Sequence, residues 1–522
     1  SYTVENNYDG QAQYFREAVA DELKEWCDEN GYDLYTSGLK IYTTIDSHMQ
    51  NYAEESAARQ MRQIQKNFRD HWGDDDPWRD EQGNLIPHFI EDIVKRQPVY
   101  KYLTAKYPNN PDSVEYYLNL PHPVKVFTWD NEERQTTLDL SVVDSVKYMV
   151  KYMHCSMIAM EPHTGYVKAY VGDISFRSWK YDKARALRQP GSTFKMFVYT
   201  EAMNQGLAPC DKRRDEQVNF KVWDSKAKRE INWSPKNSDG YFTGDSMTLK
   251  SAFARSINSV AVRLGQEMGL RRIAECAYKM GVKSPLDDKA PSLPLGSSDV
   301  TLMELVNSYC TIASNGVRRT PVLVLKVVDS KGNEVYLAPT KQEQAIPYRS
   351  AFLMQQMLQA GMNEAGGTSQ SLRRYIGDVT DTDFGGKTGT SNNQSDAWFM
   401  GVSPKLVVGS WVGGEYRCIH FRSTALGQGS RTALPICGGF LEKVFHDPKF
   451  KEYHAHYPAP DHSQVDRNDY SCSGYYRQEP DSLDADSVVM EVKHLDMDYD
   501  PSDLEMGGEP RPIEQVINID DL

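Results

Sequence analysis

The sequence predicts an α+β fold, in which an antiparallel sheet is sandwiched by helices. Residues 154–160 and 166–172 have strand patterns, and the proline and glycine of residues 161–165 mark a turn between them, which predicts a β-hairpin. A block of helical patterns follows, and strand patterns return at 397–402 and 406–412. A hairpin, a helical block and a second run of strands is an α+β order, because a doubly wound fold would alternate strands and helices.

The N-terminal part contains two predicted helices and a strand. Residues 11–30 have an amphipathic helical pattern, and residues 39–45 alternate as a strand does. Asp46 and Ser47 then begin a helix of about 23 residues, for which Ser47-His48-Met49-Gln50 fits a capping box. We interpret residues 1–73 as a linker region that precedes the main domain.

The rest of the chain divides into a helical insert, a main domain and a tail. The insert, residues 74–135, has helical patterns separated by prolines and asparagines at 89–95, 98–106 and 112–119. The main domain extends over 136–455 and contains further helical patterns at 245–282, 300–316, 347–362 and 430–446, with a hairpin at 320–338. Residues 456–522 are polar and acidic, so we expect a flexible tail, in which 488–492 could pair as a strand.

Charge is distributed unevenly along the chain. The 522 residues contain 39% hydrophobic side chains, enough for a core, and carry a net charge of -14. Residues 481–522 hold 13 Asp and Glu against Lys493 and Arg511, so this segment alone accounts for -11 of that charge. The remainder is near neutral and offers no broad basic face, so we expect no nucleic-acid partner.

The eight cysteines have no C-x-x-C spacing, which argues against a zinc site. Their even number permits disulfides in an oxidising compartment, and Cys418–Cys437 is one candidate pair. No run approaches the roughly 18 apolar residues of a membrane-spanning helix. The chain is therefore either cytoplasmic or separated from a membrane anchor that it does not contain.

A possible nucleophile lies at Ser192-Thr193-Phe194-Lys195, directly after the turn Pro190-Gly191. Residues three apart share one face of a helix, so the lysine amine can reach the serine hydroxyl. A serine needs a neighbouring base to act as a nucleophile, and the N-terminus of a helix adds a positive field. The alternative is that Ser192 is an ordinary N-cap residue.

A second motif, Ser256-Ile257-Asn258, lies inside the helical pattern 249–264. Residues two apart cannot point the same way on a straight helix. Ser256 and Asn258 can therefore line one cleft only at a helix end or in a loop between two helices. The alternative is that both are polar residues on a solvated helix face.

A third motif, Lys387-Thr388-Gly389, is the most specific of the three, and it is followed by Thr390. Glycines 385 and 386 precede it and the strand patterns follow it. Glycine on a strand edge lets another backbone approach closely. The alternative is a glycine-rich turn.

With S-x-x-K, S-x-N and K-T-G in this order, the chain resembles the transpeptidase part of the class A (bifunctional) penicillin-binding proteins. The resemblance covers roughly 11–72 and 136–446, so the insert and the tail lie outside it. Other stretches that carry it are Gly38-Leu39-Lys40-Ile41-Tyr42-Thr43-Thr44-Ile45-Asp46, Met160-Glu161-Pro162-His163-Thr164-Gly165, Trp233-Ser234-Pro235-Lys236-Asn237, Asp396-Ala397-Trp398-Phe399 and Trp411-Val412-Gly413. It implies the penicillin-binding transpeptidase and serine β-lactamase fold.

The resemblance implies D,D-transpeptidation of peptidoglycan stem peptides through an acyl-enzyme on Ser192, with release of D-Ala. Lys195 would be the base, Ser256 a proton relay and Lys387 a cationic neighbour. Asn258 would hold the substrate amide, and the strand segment Thr388-Gly389-Thr390 would bind the substrate carboxylate. Backbone N–H groups of Ser192 and Thr390 would form the oxyanion hole.

The resemblance further implies no cofactor and no metal. Expected partners are stem peptides of a lipid-linked precursor polymer, β-lactam antibiotics that acylate the serine, and regulators of cell-wall synthesis. The expected location is the periplasmic face of the inner membrane, and no candidate for a glycosyltransferase half is found in this sequence.

Two other functions stay open from the sequence. One is a hydrolase on the same scaffold, either a D,D-carboxypeptidase or a β-lactamase. The other is a sensor that binds penicillin without catalysis.

Overall fold

The structure, a computed structural model, describes residues 10–224 and 228–472, and the backbone of 489–492. The helices are α1 Gln13–Asn30, α2 Ser47–Trp72, α3 Phe89–Arg96, α4 Pro98–Lys106, α5 Pro111–Asn119, α6 Val142–Val150, α7 Lys195–Asn204, α8 Leu249–Ala254, α9 Asn258–Met268, α10 Leu270–Met280, α11 Leu302–Ala313, α12 Tyr348–Asn363, α13 Arg373–Ile376, α14 Thr424–Gly427, α15 Ala433–His446 and α16 Arg467–Ser471. The strands are β1 Lys40–Thr43, β2 His122–Phe127, β3 Gln135–Leu140, β4 Met153–Met160, β5 Val167–Val171, β6 Lys212–Arg214, β7 Phe220–Asp224, β8 Arg229–Trp233, β9 Ser246–Thr248, β10 Val317–Arg319, β11 Val324–Val328, β12 Glu334–Leu337, β13 Gln342–Gln344, β14 Gly385–Thr390, β15 Asp396–Val402, β16 Val407–Gly414 and β17 Val489–Val492.

A five-stranded sheet in the order β14-β15-β16-β4-β5 forms the centre, and each adjacent pair is antiparallel. Successive side chains of a strand point to opposite faces. On β15, Trp398 and Met400 join one hydrophobic core, whereas Ala397 and Phe399 join the other. The sheet is therefore buried on both faces.

Helices cover both faces of this sheet. The first core contains residues of α1, α7, α9, α10, α11 and α12, and the second contains residues of α2, α3, α6 and α15. The predicted sandwich of an antiparallel sheet between helices is confirmed. The hairpins predicted at 154–172 and 320–338 are also present, as β4–β5 and β11–β12.

The cap predicted for the long N-terminal helix is wrong by one residue. Asp46, not Ser47, is the N-cap residue, and its carboxylate accepts hydrogen bonds from the N–H groups of His48 and Met49. The side chain of Gln50 is used elsewhere, because it exchanges two hydrogen bonds, of 2.8 and 2.7 Å, with the backbone of Tyr170. Tyr170 lies on the edge strand β5, so Gln50 satisfies backbone groups that an edge strand leaves open.

The region predicted as a helical insert contains the expected helices α3, α4 and α5 together with an unpredicted hairpin, β2–β3. Its apolar side chains, such as Phe89, Leu103 and Phe127, belong to the second core of the main sheet. The region therefore shares the hydrophobic core of the domain that follows it.

Residues 456–472, which we predicted as the start of a flexible tail, instead pack against the body. Val465 is buried in the first core, and Asp469 forms an ion pair of 2.9 Å with Arg349 of α12. Cys472 forms a disulfide with Cys210. The strand predicted at 488–492 is present as β17, which pairs in parallel with β7, whereas 473–488 and 493–522 lie outside the described residues.

The suggested disulfide Cys418–Cys437 is wrong. Cys437 is a buried thiol whose pKa burial raises to about 12. The bonded pair is Cys210–Cys472, which are 262 residues apart. Across the described ranges, the helices are too short or too polar to span a bilayer.

Candidate active site

Ser192 lies in a 3₁₀ turn, Gly191–Phe194, that runs directly into α7. The following residues Phe194, Met196 and Phe197 are fully buried in the first core, which fixes the position of the turn. The N-cap positions of the turn and of α7 are Pro190 and Phe194, and neither makes a side-chain capping bond. The interpretation of Ser192 as an ordinary N-cap residue is therefore wrong.

Strand β14 lies against this turn at van der Waals distance. A Cβ on Gly389 would lie 2.6 Å from the carbonyl oxygen of Pro190, and a Cβ on Gly191 would lie 2.6 Å from that of Thr390. Gly191 also has φ +53°, which side chains disfavour. Both glycines are needed for the backbones of residues 191 and 390 to meet.

Ser256 and Asn258 lie at a break between two helices, as the spacing of their motif required. Helix α8 ends at Ala254 and α9 begins at Asn258, and Ser256 between them has φ +58°. This left-handed conformation is uncommon for a residue other than glycine and costs about 1 kcal/mol or more. The break turns Ser256 and Asn258 toward the same neighbour, Lys195.

The amine of Lys195 lies within hydrogen-bond distance of three oxygens. Its Nζ lies 2.8 Å from the carbonyl oxygen of Ser256, 3.2 Å from Ser256 Oγ and 2.6 Å from Asn258 Oδ1. Among the described residues, the hydrogen bonds of Lys195 do not include the predicted one to Ser192. The amine of Lys195 therefore bonds to Ser256 and Asn258, although the S-x-x-K spacing alone predicts a bond to Ser192.

Lys387 approaches the same serine from strand β14. Its Nζ lies 2.9 Å from Ser256 Oγ and 2.8 Å from the carbonyl oxygen of Thr388. The hydroxyl of Ser256 thus lies between two lysine amines. The K-T-G motif is on a strand and in the cleft, so the interpretation as a glycine-rich turn is wrong.

Both lysines are buried, with 0% exposure for Lys195 and 1% for Lys387. Burial lowers the pKa of Lys387 to about 7. Burial and the charge of Lys387 hold the pKa of Lys195 well below its usual range. Burial disfavours the charged form of an amine, and a like charge nearby adds to the effect. A neutral amine next to Ser256 is therefore accessible near neutral pH.

The two threonines of β14 are held by neighbouring loops. Thr388 donates a hydrogen bond of 2.7 Å to Thr368 Oγ1, and Thr390 Oγ1 accepts one of 3.1 Å from the N–H of Gly429. Nε1 of Trp398 donates a hydrogen bond of 2.7 Å to the carbonyl oxygen of Gln189. This bond joins β15 to the serine turn. All eight predicted site residues therefore lie around one junction between β14, α7 and α9.

Two family models match the chain. The model described as the penicillin-binding protein transpeptidase domain matches residues 155–412, which contain the three motifs and the central strands. The model described as the penicillin-binding protein middle domain matches residues 73–153. The chain belongs to the penicillin-binding proteins. It corresponds to the transpeptidase portion of the class A members.

Curated relatives carry the name penicillin-binding protein 1A. That of Rickettsia bellii is 29% identical over 479 residues, which cover 84% of this chain and 58% of the relative. That of Neisseria lactamica is 27% identical over 468 residues, which cover 82% and 55%. The chain therefore spans less than two-thirds of the length of these relatives.

Solved structures show the same fold. Penicillin-binding protein 1A from Haemophilus influenzae matches with a TM-score of 0.60 and 22% identity, over 84% of this chain and 71% of that chain. The PonA1 protein from Mycobacterium tuberculosis, in complex with penicillin V, matches with a TM-score of 0.56 and 19% identity, over 87% and 97%.

The comparisons correct one expectation about this penicillin-binding protein. Residues 74–135, which we expected to lie outside the family pattern, fall inside the middle-domain match. This region contributes core packing and none of the eight predicted site residues.

Sequence reasoning missed several residues whose hydrogen bonds fix the site residues in place. Thr368, Gly429 and Asp215 have no motif that would have marked them. Asn237 was quoted only as part of the stretch Trp233–Asn237, and its side chain accepts a hydrogen bond of 3.0 Å from the N–H of Asn258.

The residues best arranged to hold a metal ion, within the described ranges, are His154, Asp173 and Glu415, whose ligand atoms lie within 4.8 Å of one another. The amine of Lys183 lies 2.6 Å from Glu415 and 3.9 Å from Asp173. A lysine ammonium thus already supplies positive charge there. His454 and His456, which are two residues apart, pair with Asp381 and Asp383 respectively.

Proposed function

We propose that this protein is a serine D,D-transpeptidase that cross-links peptidoglycan stem peptides. The observation that carries the proposal is the pair of buried lysine amines on one serine hydroxyl, Ser256, beside the turn that presents Ser192. Buried amines of lowered pKa are what a serine nucleophile needs as bases. Membership of the family supports the same activity.

In the first step, Ser192 Oγ attacks the carbonyl carbon of the penultimate D-Ala. The hydroxyl proton passes to Lys195, which is neutral because burial and the charge of Lys387 lower its pKa. The carbonyl oxygen becomes an oxyanion and accepts hydrogen bonds from the N–H groups of Ser192 and Thr390. One such donor is worth about 3–4 kcal/mol in the transition state.

In the second step, the oxyanion collapses and the bond to the terminal D-Ala nitrogen breaks. Ser256 donates its hydroxyl proton to that nitrogen and regains one from Lys195, whose Nζ lies 3.2 Å away. The products are an ester on Ser192 and free D-Ala. Asn258, at the start of α9, holds the amide of the substrate.

The substrate carboxylate binds at β14. Lys387 supplies positive charge, and the hydroxyl of Thr390 donates a hydrogen bond. The hydroxyl of Thr388 donates a second one when it turns away from Thr368. In the last step, an amine of a second stem peptide attacks the ester carbonyl and gives a proton to Lys195, which is neutral again after the second step. The new amide bond forms as the bond to Ser192 Oγ breaks, and Ser192 Oγ takes that proton from Lys195. A β-lactam that acylates Ser192 would stop the enzyme at the ester stage.

We place the protein outside the cytoplasm, on the periplasmic side of the inner membrane. The disulfide Cys210–Cys472 supports this location, because disulfides form and persist in oxidising compartments.

The test is intact mass after incubation with benzylpenicillin, followed over hours, with peptide mapping and with Ser192→Ala as control. We expect one stable adduct on Ser192, none on the variant, and equal melting temperatures. Rapid loss of the adduct would indicate a β-lactamase instead. D-Ala release from a stem-peptide pair without a cross-linked product would indicate a carboxypeptidase, and an adduct without any D-Ala release would indicate a sensor.

A further inference from the structure

Helix α9, which carries Asn258 as its first residue, is capped by a side chain from a distant part of the chain. The residue at its N-cap position is Ile257, which makes no capping bond. The Oδ1 of Asn237 instead accepts hydrogen bonds from the N–H groups of Asn258 at 3.0 Å and Ser259 at 3.2 Å. A side-chain oxygen satisfying the first N–H groups of a helix is the role of an N-cap residue.

The side chain of Asn258 is fixed at both ends. Its Nδ2 donates a hydrogen bond of 2.8 Å to the carbonyl oxygen of Lys236, the residue next to Asn237. Its Oδ1 accepts a hydrogen bond of 2.6 Å from the amine of Lys195. The same short segment therefore holds the backbone and the side-chain amide of Asn258. Through Asn258 it also fixes one of the three acceptors of the Lys195 amine.

A buried carboxylate holds Asn237 in turn. Asp215 is 1% exposed. One of its oxygens accepts hydrogen bonds of 2.8 Å from Asn237 Nδ2 and 2.6 Å from Ser259 Oγ. Its second oxygen accepts hydrogen bonds from the N–H and the hydroxyl of Thr243. Burial raises the pKa of Asp215, but hydrogen bonds from Ser259, Thr243 and Asn237 outweigh burial and leave the pKa below its usual value. Asp215 is thus an ionised anchor, and both of its oxygens are engaged.

We propose that Asn237 and Asp215 are positioning residues for the acylation of Ser192, acting through Asn258 on Lys195. Neither touches the serine or its base. They fix the position of the N-terminus of α9, where Asn258 contacts the amine of Lys195. This inference rests on the proposed function, since acylation is the reaction that the two residues support.

The test compares Asn237→Ala with Asn110→Ala in the full chain. Asn110 is a matched control, because its side chain caps α5 by accepting from the N–H of Ser113 at 3.1 Å, and α5 contributes none of the site residues. Both variants lose one helix cap, so both should lower the melting temperature. Only Asn237→Ala should slow acylation by a fluorescent penicillin, by about 10- to 100-fold, since small misplacements near reacting groups have effects of this size.

The readout separates positioning from stability. A purely structural role would lower the fraction of molecules that become labelled and leave the rate constant of the labelled ones unchanged. Positioning lowers the rate constant while the final labelled fraction stays near that of wild type. A wild-type rate constant in Asn237→Ala would overturn the inference.

Asp215→Asn provides a second test that keeps the shape of the anchor and removes its charge. It should slow acylation, and the double variant Asp215→Asn/Asn237→Ala should be slowed by less than the two single effects combined, because part of the effect of Asp215 on α9 passes through Asn237. Full additivity of the two effects would contradict that path. If wild type itself forms no adduct on Ser192, the proposed function fails, whereas labelled wild type with unaffected variants rejects only the positioning role.

Discussion

Replacing Lys387 with methionine should move the acid limb of the acylation pH profile to higher pH. Lys195 accepts a proton only when it is neutral, so acylation speeds up as the pH rises through its pKa. Burial and the charge of Lys387 both lower that pKa. Methionine has a similar length and no charge, so it removes the second cause and keeps the first.

The size of the shift follows from the shared hydrogen-bond partner. Both amines bond to Ser256 Oγ, at 3.2 and 2.9 Å, so they are at most about 6 Å apart. Two unit charges about 6 Å apart repel by roughly 3 kcal/mol at an effective dielectric constant of about 20, which equals about two pH units. The midpoint of the acid limb should therefore rise by about two pH units.

The alkaline side of the profile should change as well. Burial lowers the pKa of Lys387 to about 7, so above this pH the lysine loses the charge that we propose binds the substrate carboxylate. Wild type should therefore show a bell-shaped profile, rising as Lys195 loses its proton and falling as Lys387 loses its own. The methionine variant should show only the rise.

The measurement is the second-order rate constant of acylation by a fluorescent penicillin from about pH 5 to about pH 10. Thr390→Val is the control, because it removes a proposed carboxylate contact without changing any charge. It should lower the rate at every pH and leave the midpoint in place. If the midpoint of Lys387→Met equals that of wild type, Lys387 does not set the pKa of Lys195.

Two further substitutions test how the site is assembled. Gly191→Ala should slow acylation about 100-fold, because its Cβ would lie 2.6 Å from the carbonyl oxygen of Thr390. The control is Gly206→Ala, at a glycine with a positive φ and open space around it, which should lower only the melting temperature. Equal acylation rates in the two variants would contradict the close contact. Cys210→Ser should lower the free energy of unfolding by about 2–5 kcal/mol and open the segment up to Cys472 to proteolysis without slowing acylation; an unchanged denaturation midpoint would contradict this.

Most of the fold could be predicted because its signals are local. The hairpins β4–β5 and β11–β12 have strand patterns on both sides of a glycine-containing turn. For Lys387 the sequence offered only the neighbouring glycines and the strand patterns that follow, and a glycine-rich turn stayed open as the alternative. The three motifs contain seven of the eight predicted site residues, and Thr390 directly follows the third motif.

The break at Ser256 could not be read from periodicity. Phe253, Ile257, Val260 and Leu264 are all buried, so their three- and four-residue spacing continues across the end of α8 and the start of α9. A helix that stops and restarts while it keeps its apolar face produces the same pattern as a continuous one. Only the pairing of Ser256 with Asn258 indicated the break.

Contacts between residues far apart in the sequence could not be predicted either, because local patterns carry no information about them. Cys210 and Cys472 are 262 residues apart, and spacing alone does not fix cysteine pairing. The N-cap of α9 comes from Asn237, although the local N-cap position holds Ile257. The final acceptors of Lys195 depend on where α9 begins, so they follow from tertiary packing and not from the S-x-x-K spacing.

The position of β14 supports the proposed binding of an extended peptide. In the part of the chain that the structure describes, β14 pairs only with β15 and forms an edge of the central sheet. An edge strand leaves a row of N–H and C=O groups that an extended chain can pair with. Gly385 and Gly389 let α12 and the serine turn pack closely against β14. We propose that Lys387 and Thr390 bind a carboxylate at one end of the peptide. A stem peptide laid along this edge would bring its penultimate carbonyl to the serine turn, which contacts the same strand at Gly389 and Thr390.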